Sequence, residues 1–257
     1  MGLITDFGLA DSYVSEMHAV LIGLCSDIRI IDINHLIEPG NISAGSYLLG
    51  RSVPSFPKGS VFLGVVDPEV GTERQAVVVE NAGCYFVGPD NGLFSRAIDW
   101  TKPIITRVCT KNDVGRETIS STFHGRDLFA PLAAKLVNGE KIESIGVASS
   151  LNGTPAPDQP TLNSNDAIGE VIYIDRFGNI ATNLPNGILQ KNSLLFTRKF
   201  CNIRNALTYS SVSNTNPFWL FGSDGNIEIA MNGQHAAKEM AVRVSDTVHA
   251  KRLLKLL

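Results

Sequence analysis

The first half of the chain alternates short apolar runs with segments of helical periodicity. Continuous apolar runs such as Val61–Val66 and Ala76–Val79 are typical of strands that are covered on both faces. Between such runs, apolar residues recur every three or four positions, as they do from Tyr13 to Leu24. Strands that alternate with helices predict an α/β fold, here a layered domain with a mostly parallel sheet over residues 1–150.

The elements of this domain can be placed from the pattern. The predicted strands are Leu3–Thr5, Ile28–Ile33, Val61–Val66, Ala76–Val79, Cys84–Val87 and Ile104–Val108, and the predicted helices are Tyr13–Leu24, Ile42–Leu49, Gly92–Asp99 and Asp127–Val137. Asp11 or Ser12 can cap the first helix, because either side chain can accept a hydrogen bond from a free amide of the first turn.

The pattern changes after residue 150. Residues 151–166 are rich in Asn, Gly, Pro and Asp, a composition typical of a linker. Short apolar runs then follow one another with turn residues between them, which predicts a small β-rich, barrel-like domain over residues 167–257. Its predicted strands are Gly169–Asp175, Ile180–Leu184, Ser193–Phe200, Phe218–Phe221, Asn226–Met231 and Met240–Ser245.

Composition excludes several classes of protein. Hydrophobic residues make up 44% and charged residues 18% of the 257 residues, which is typical of a globular protein. The net charge of −3 leaves no large basic face, so we expect neither a nucleic-acid nor a membrane partner. The apolar runs are shorter than the ~20 residues of a membrane-spanning helix. Without a secretory signal pattern or a Cys-x-x-Cys pair, we expect a cytoplasmic protein with reduced thiols.

Polar residues follow several of the predicted strands directly. Asp6, Asp67, Asp90 and Asn91 each come just after an apolar run, and His124 follows a run, Thr118–Phe123, that we interpret as a strand. Ligands of open α/β sheets bind beyond the carboxyl ends of the strands, so these groups are candidates for a site. The alternative is that the Asp, Asn and Gly residues only build tight turns.

Six motifs, spread over nearly the whole chain, give the sequence a specific resemblance. They are Thr5-Asp6-Phe7-Gly8, Val66-Asp67-Pro68-Glu69-Val70-Gly71-Thr72, Gly88-Pro89-Asp90-Asn91-Gly92, Ser121-Thr122-Phe123-His124-Gly125-Arg126-Asp127, Ile174-Asp175-Arg176-Phe177-Gly178-Asn179, and Gly222-Ser223-Asp224-Gly225 with Glu228-Ile229-Ala230. In this order they resemble the S-adenosylmethionine hydroxide adenosyltransferase family, which is related to fluorinating and chlorinating enzymes. The resemblance implies a homotrimer in which the β-rich domain completes the site of a neighbouring subunit.

The same resemblance implies cleavage of S-adenosylmethionine by water, giving adenosine and methionine, with no cofactor and no metal. Water or hydroxide would attack the ribose C5′ in line with the sulfonium sulfur. Asp67, Arg74 and His124 match the family residues around that water, and which of the three takes its proton stays open. The alternative for Arg74 is a purely structural ion pair with Asp67.

The resemblance also implies which residues hold the substrate. Asp6 matches the residue that binds the ribose hydroxyls, and Phe177 and Asn179 match positions beside adenine, where a ring can stack and an amide can hydrogen bond. Weaker candidates are Asp11, Asp175 and Ser223, toward the methionine end, and Asn232. As alternatives, Asp11 is a helix cap, Asp175 a turn residue and Ser223 a hairpin residue.

Two rival functions share this resemblance. A halide-using enzyme is disfavoured, because the carboxylate of Asp67 would repel a halide. A non-catalytic sensor of adenosine or S-adenosylmethionine is suggested only by Glu69, which stands where the family usually carries glycine. If φ is positive at that position, Glu69 would strain the loop that carries Asp67 by roughly 1 kcal/mol.

A metal-dependent hydrolase is a further alternative, since aspartates and a histidine follow strands of one sheet. It is disfavoured because the sequence has no His-Glu-x-x-His motif and no clustered ligand set. His18, His35, His235 and His249 fall in unrelated sequence contexts.

Overall fold

The computed structural model describes residues 1–115, 118–213 and 215–253. The chain divides into two compact units, Met1–Pro157 and Asp158–Leu257. No helix in these described ranges is long and apolar enough to cross a membrane.

The first unit is built on a seven-stranded sheet. Its strands are β1 (Gly2–Thr5), β2 (Ile31–Asn34), β3 (Val61–Val65), β4 (Ala76–Asn81), β5 (Cys84–Pro89), β6 (Ile104–Cys109) and β7 (Val147–Ser149). They lie in the order β2-β1-β3-β5-β4-β6-β7. The pairs from β2 to β5 are parallel, whereas β4 and the strands beyond it pair antiparallel. The expected α/β unit with parallel central strands is confirmed.

Helices cover both faces of this sheet. Helices α1 (Tyr13–Leu24) and α3 (Ala130–Val137) pack on one face, and α2 (Ile42–Ser52) packs on the other. Neighbouring side chains of β1 therefore lie on opposite faces of the sheet. Leu3 packs with α1 and α3, and Ile4 packs with α2. Because both faces are buried, the central strands are apolar without alternation.

The second unit is barrel-like, as expected. Its strands are β8 (Thr161–Leu162), β9 (Asp166–Ile174), β10 (Ile180–Pro185), β11 (Leu189–Phe196), β12 (Arg204–Asn205), β13 (Phe218–Phe221), β14 (Asn226–Ala230) and β15 (Thr247–Leu253). They follow the order β11-β15-β9-β10-β14-β13-β12, with β8 beside β9. Reciprocal hydrogen bonds of 3.0 and 2.9 Å between Leu195 and Ile203 join the two ends of this order. A short helix, α4 (Ala236–Met240), packs on the core around the fully buried Trp219.

Three predicted elements are wrong. Gly92–Asp99 is a series of turns rather than a helix, and one of its hydrogen bonds runs from the Ser95 amide to the Gly92 oxygen at 3.0 Å. Leu93 and Phe94 are buried within these turns, so their apolar spacing resembled that of a helix. Thr118–Phe123 pairs with no described strand, because the Ser120 amide bonds instead to the Asp127 carboxylate, 3.0 Å.

The third error is Met240–Ser245, where Met240 ends α4 and Ala241 adopts a left-handed φ of 49°. The strand follows at β15, whose buried Val248 and Ala250 alternate with exposed residues. The strand predicted at Ile28–Ile33 is also displaced, because β2 spans Ile31–Asn34. Ser12 is the N-cap of α1, but its hydroxyl donates to Glu16 Oε1 at 2.7 Å and accepts no amide of the first turn.

Candidate active site

One edge of the first unit's sheet collects polar side chains because of the strand directions. β1, β3 and β5 are parallel, so Asp6 and Asp67, which follow β1 and β3, lie at the same edge. β4 runs the opposite way, and its first residue Ala76 pairs with Pro89 at the end of β5. Arg74, two residues before Ala76, therefore lies at this edge of the sheet as well.

Asp67, Arg74 and His124 form one hydrogen-bonded network. Arg74 Nε donates to both carboxylate oxygens of Asp67, at 3.0 and 3.1 Å, and Arg74 Nη2 donates to Asp67 Oδ2 at 2.5 Å. The same Nη2 lies 2.7 Å from His124 Nδ1. The side chains of Arg74 and Asp67 are only 5% and 3% exposed. The fold thus joins three residues that are up to 57 positions apart, the separation of 124 from 67.

The network fixes the protonation state of His124. A guanidinium can only donate, so His124 Nδ1 must accept from Arg74, and in the neutral ring the proton is on Nε2. Burial lowers the pKa of His124, the positive charge of Arg74 lowers it further, and the Asp67 and Asp127 carboxylates oppose this. His124 is therefore neutral at pH 7, and the network combines one anion, one cation and one neutral imidazole.

Phe129 packs against this network, a contact that the sequence pattern did not indicate. The Arg74 guanidinium carbon lies 5.1 Å from the Phe129 ring centroid, and the His124 and Phe129 centroids are 6.4 Å apart. Phe129 is fully buried and belongs to a short π-helical turn, Gly125–Phe129, that follows His124. A ring under a guanidinium stabilises its charge. In the sequence Phe129 looks like any core residue of an apolar helix.

The loop that carries Asp67 is held close to the segment that carries His124. Gly71 has φ of +82°, and a side chain there would collide with the backbone oxygen of Ser121. Glu69 is exposed, does not have a positive φ, and its carbonyl accepts the Thr72 amide at 3.1 Å. The strain considered for Glu69 is therefore absent. The position that requires glycine is Gly71.

Asp6 and Asp11 lie in different environments. Asp6 is half-buried, and its Oδ2 accepts the Gly40 amide at 2.8 Å from the loop before α2. Asp11 is exposed in the loop that precedes α1. Asp90 and Asn91 have structural contacts: Asp90 Oδ2 accepts the amides of residues 152 and 153 at 2.8 and 2.9 Å, and Asn91 Nδ2 donates to the Val66 oxygen at 2.9 Å. These contacts favour the turn alternative for Asp90 and Asn91.

In the second unit, the turn between β9 and β10 carries three candidate residues. Asp175 Oδ1 accepts the amides of Phe177 and Asn179 at 2.9 and 2.8 Å, and its Oδ2 accepts from Asn179 Nδ2 at 3.0 Å. The Asp175 carboxylate thereby builds the turn. The Phe177 side chain at its tip is 77% exposed, so its ring face is free for a planar ligand.

Ser223 and Asn232 lie at opposite ends of the barrel. β10 and β14 are antiparallel with Ile180 opposite Ile229, so Asn232, just beyond β14, is at the same end as Asn179. Ser223 is in the turn between β13 and β14, at the far end of β14, which spans about 15 Å. Asn232 Nδ2 donates to the Val212 oxygen at 2.7 Å. Within one chain, Ser223 is not brought together with the adenine candidates.

The fold also brings together two histidines that the sequence placed in unrelated contexts. His18 on α1 and His35 after β2 both turn a ring nitrogen toward Asp32, at 2.9 and 3.1 Å. The expectation of unrelated contexts is therefore wrong for this pair. His235 instead caps α4 by accepting the Lys238 amide at 3.3 Å, and His249 is exposed on β15.

Comparison with known proteins gives the family. Residues 1–146 match the SAM hydroxide adenosyltransferase N-terminal domain, and residues 169–249 match the C-terminal domain of the same name. The chain is 36% identical to an (R)-S-adenosyl-L-methionine hydrolase of Salinispora tropica over 94% of each chain. It is 24% identical to a fluorinase of Nocardia brasiliensis over 74% of this chain and 73% of that one.

A solved structure agrees. An uncharacterized conserved protein from Thermotoga maritima superposes with a TM-score of 0.89 at 32% identity, covering 98% of this chain and 99% of that one. The family itself rests on the matches of both halves of the sequence. The chain belongs to the SAM hydroxide adenosyltransferase family.

Proposed function

We propose that this protein hydrolyses S-adenosyl-L-methionine to adenosine and L-methionine. The observation that carries the proposal is the network of Asp67, Arg74 and His124 at the sheet edge that also holds Asp6, in a chain whose two halves both match this family. Relatives named as S-adenosyl-L-methionine hydrolases, at 32–36% identity over nearly the full chain, support the same reaction.

In the proposed reaction, a water oxygen attacks the ribose C5′. The O–C5′ bond forms while the C5′–S bond breaks, and the bonding electron pair returns to sulfur, which leaves as the neutral thioether of methionine. The water loses one proton. Because the sulfonium is already a good leaving group, the protein needs only to position and deprotonate water, and we propose that the reaction itself uses neither a metal nor a cofactor.

The hydrogen-bond pattern favours Asp67 as the group that takes the proton. His124 Nδ1 is engaged with Arg74, and its Nε2 carries a hydrogen, so the neutral ring has no free lone pair. Among the described residues, only Arg74 Nε donates to Asp67 Oδ1, which keeps a lone pair for a water proton. In this proposal His124 donates to the water oxygen and fixes its orientation, and Arg74 stabilises the hydroxide character of the transition state.

For the substrate, we propose that Asp6 binds the ribose hydroxyls, and that Phe177 and Asn179 bind adenine. Asp11, Asp175 and Ser223 are proposed toward the methionine end, and Asn232 as a further contact. We also propose a homotrimer in which the β-rich unit of one subunit completes a neighbour's site. Support comes from the exposed ring of Phe177 and from the family resemblance. The four free thiols support a cytoplasmic location.

The decisive experiment is incubation of the purified protein with S-adenosyl-L-methionine, with adenosine and methionine followed by chromatography. We expect equal amounts of both products, and a loss of about 10²-fold or more in rate for His124→Ala. Wild type that forms no adenosine would overturn the proposal and leave the non-catalytic sensor as the alternative. Addition of chloride or fluoride distinguishes the halide-using alternative, since a 5′-halogenated nucleoside would then replace adenosine.

A further inference from the structure

A second cluster of reactive side chains lies in the first unit, apart from the Asp67 network. His18 is on α1, Asp32 is in β2, and His35 directly follows β2. β2 is the edge strand of the sheet, and its register against β1 is irregular: Leu3 faces Asp32, but Ile4 faces Asn34. Such a bulge redirects side chains of an edge strand. His18 on α1 and His35 after the strand both contact the Asp32 carboxylate.

The three side chains present their ligand atoms to one another at short range. His18 Nε2 is 2.9 Å and His35 Nε2 is 3.1 Å from the same oxygen, Asp32 Oδ1. All three ligand atoms lie within 4.8 Å of one another. The His35 side chain is 4% exposed, whereas those of His18 and Asp32 are 29% and 45% exposed. One side of the cluster is therefore buried, and the other side is open to solvent.

We propose that His18, Asp32 and His35 bind a divalent transition-metal cation of the Zn²⁺ type. Two imidazole nitrogens and one carboxylate oxygen are a ligand set that such cations prefer, and water fills the remaining position. Three ligands at about 2.1 Å in tetrahedral geometry are ~3.4 Å apart. The two nitrogens thus need to withdraw from Oδ1 by only a few tenths of an ångström, which the exposed Asp32 side chain can supply by a small rotation.

The surroundings of His35 support this assignment. His35 Nδ1 lies 2.8 Å from the hydroxyl of Thr5, which is fully buried. A partner on the second ring nitrogen fixes the ring and directs Nε2 to the metal, as is usual for metal-bound histidines. Nε2 itself is buried, and no group in the described part of the chain is aligned to hydrogen bond with it, although Asp32 is near. A buried, unsatisfied nitrogen aimed into a cluster of ligands is costly without a cation.

The competing explanation is a metal-free contact in which both rings simply donate to Asp32. That arrangement satisfies His18, but it leaves His35 Nε2 poorly aligned.

Metal binding would stabilise the segment that leads into the Asp67 edge. The backbone oxygen of His35 accepts the Gly8 amide at 2.7 Å, and Thr5 immediately precedes Asp6. A cation held by His18 and His35 would tie α1 to the end of β2 and hold this loop between them. Its effect is therefore structural, and the proposal does not depend on the hydrolase activity.

The test uses the untagged full-length protein, stripped of metal with a chelator and titrated with Co²⁺, whose visible absorption reports nitrogen and oxygen ligands. We expect one Co²⁺ per chain, displaced by Zn²⁺, and a higher melting temperature with metal. Asp32→Asn and His18→Gln change side chains on the solvent-facing side of the cluster and should weaken binding at least about tenfold. His249→Gln, an exposed histidine on β15, is the matched control and should bind like wild type.

Two results would overturn the proposal. The first is wild type without a saturable Co²⁺ spectrum. The second is binding that Asp32→Asn and His18→Gln leave unchanged, or that His249→Gln removes equally. Melting curves of all variants with chelator, compared with wild type under the same conditions, establish that loss of metal binding is not loss of folding.

Discussion

The contact between Gly71 and Ser121 gives the sharpest test of how the candidate active site is held together. Gly71 lies in the loop after Asp67, with φ of +82°, and its Cα faces the backbone oxygen of Ser121, three residues before His124. Gly71→Ala introduces two separate costs. The first is a strained φ, and the second is a collision that must push the two loops apart.

The two costs can be separated with a matched control. Gly59 has φ of +80° and no atom within 4 Å of an added side chain, and it precedes β3, at the other edge of the sheet from Asp67. Gly59→Ala should therefore show the φ cost alone, about 1 kcal/mol of unfolding free energy. In a protein of this size that corresponds to a lower melting temperature by about 2–4 °C.

Gly71→Ala should show a larger loss of stability than Gly59→Ala and, in addition, a large loss of activity. Relief of the collision requires a separation of about 1 Å between the loops that carry Asp67 and His124, and misplacement on this scale costs on the order of 10²-fold in rate. The assay is kcat/KM for adenosine formation, measured well below each variant's melting temperature. If Gly71→Ala keeps a kcat/KM within about threefold of Gly59→Ala, the contact does not position the network, and this reasoning is refuted.

Three further predictions concern the same network. Asp67→Ala leaves the Arg74 charge buried without its partner, so urea unfolding should show a loss of ~3 kcal/mol, and a loss below ~1 kcal/mol would contradict burial of the pair. Burial and Arg74 lower the pKa of His124 in the folded state below its usual value of 6.5. Near and below pH 6.5 the unfolded chain therefore binds more protons at His124 than the folded chain does. The free energy of unfolding should fall as the pH drops through 6.5 and below. The acid limb of kcat/KM should likewise lie below pH 6.5, and His124→Asn should remove the His124 part of the stability change; an inflection above 6.5 would contradict this. Co-expression of His124→Ala with Asn179→Ala should restore activity at about one of the three sites in each mixed trimer, which is about a quarter of all sites, whereas no recovery would place the whole site within one chain.

The sequence predicted the buried strands of the first unit well. Runs such as Val61–Val66 are continuous because both faces are covered, and this local signal needs no knowledge of partners. The same pattern predicted the wrong element where residues are buried for another reason. Leu93 and Phe94 are buried within turns, so their spacing resembled a helix, and Thr118–Phe123 has strand-like composition but its Ser120 amide is bonded to Asp127.

The candidate site was only partly visible in the sequence. Asp6 and Asp67 follow parallel strands, and that rule alone places them at one edge. Arg74 could not be placed in this way, because it precedes a strand, and only the antiparallel direction of β4 brings it to that edge. Phe129 gave no signal, since burial against a guanidinium and burial in a plain core look alike in sequence.

What the sequence determined by itself was the set of local features: which segments are buried, which strands end in polar residues, and which motifs resemble a known family. The tertiary structure decided which distant residues meet. It brings His124 into contact with Arg74 and Gly71 into contact with Ser121. It also shows that Glu69 has no positive φ, and that His18 and His35 both face the Asp32 carboxylate. The physical reason is that burial and periodicity are properties of neighbouring residues, whereas strand direction, register and loop packing depend on contacts between segments far apart in the chain.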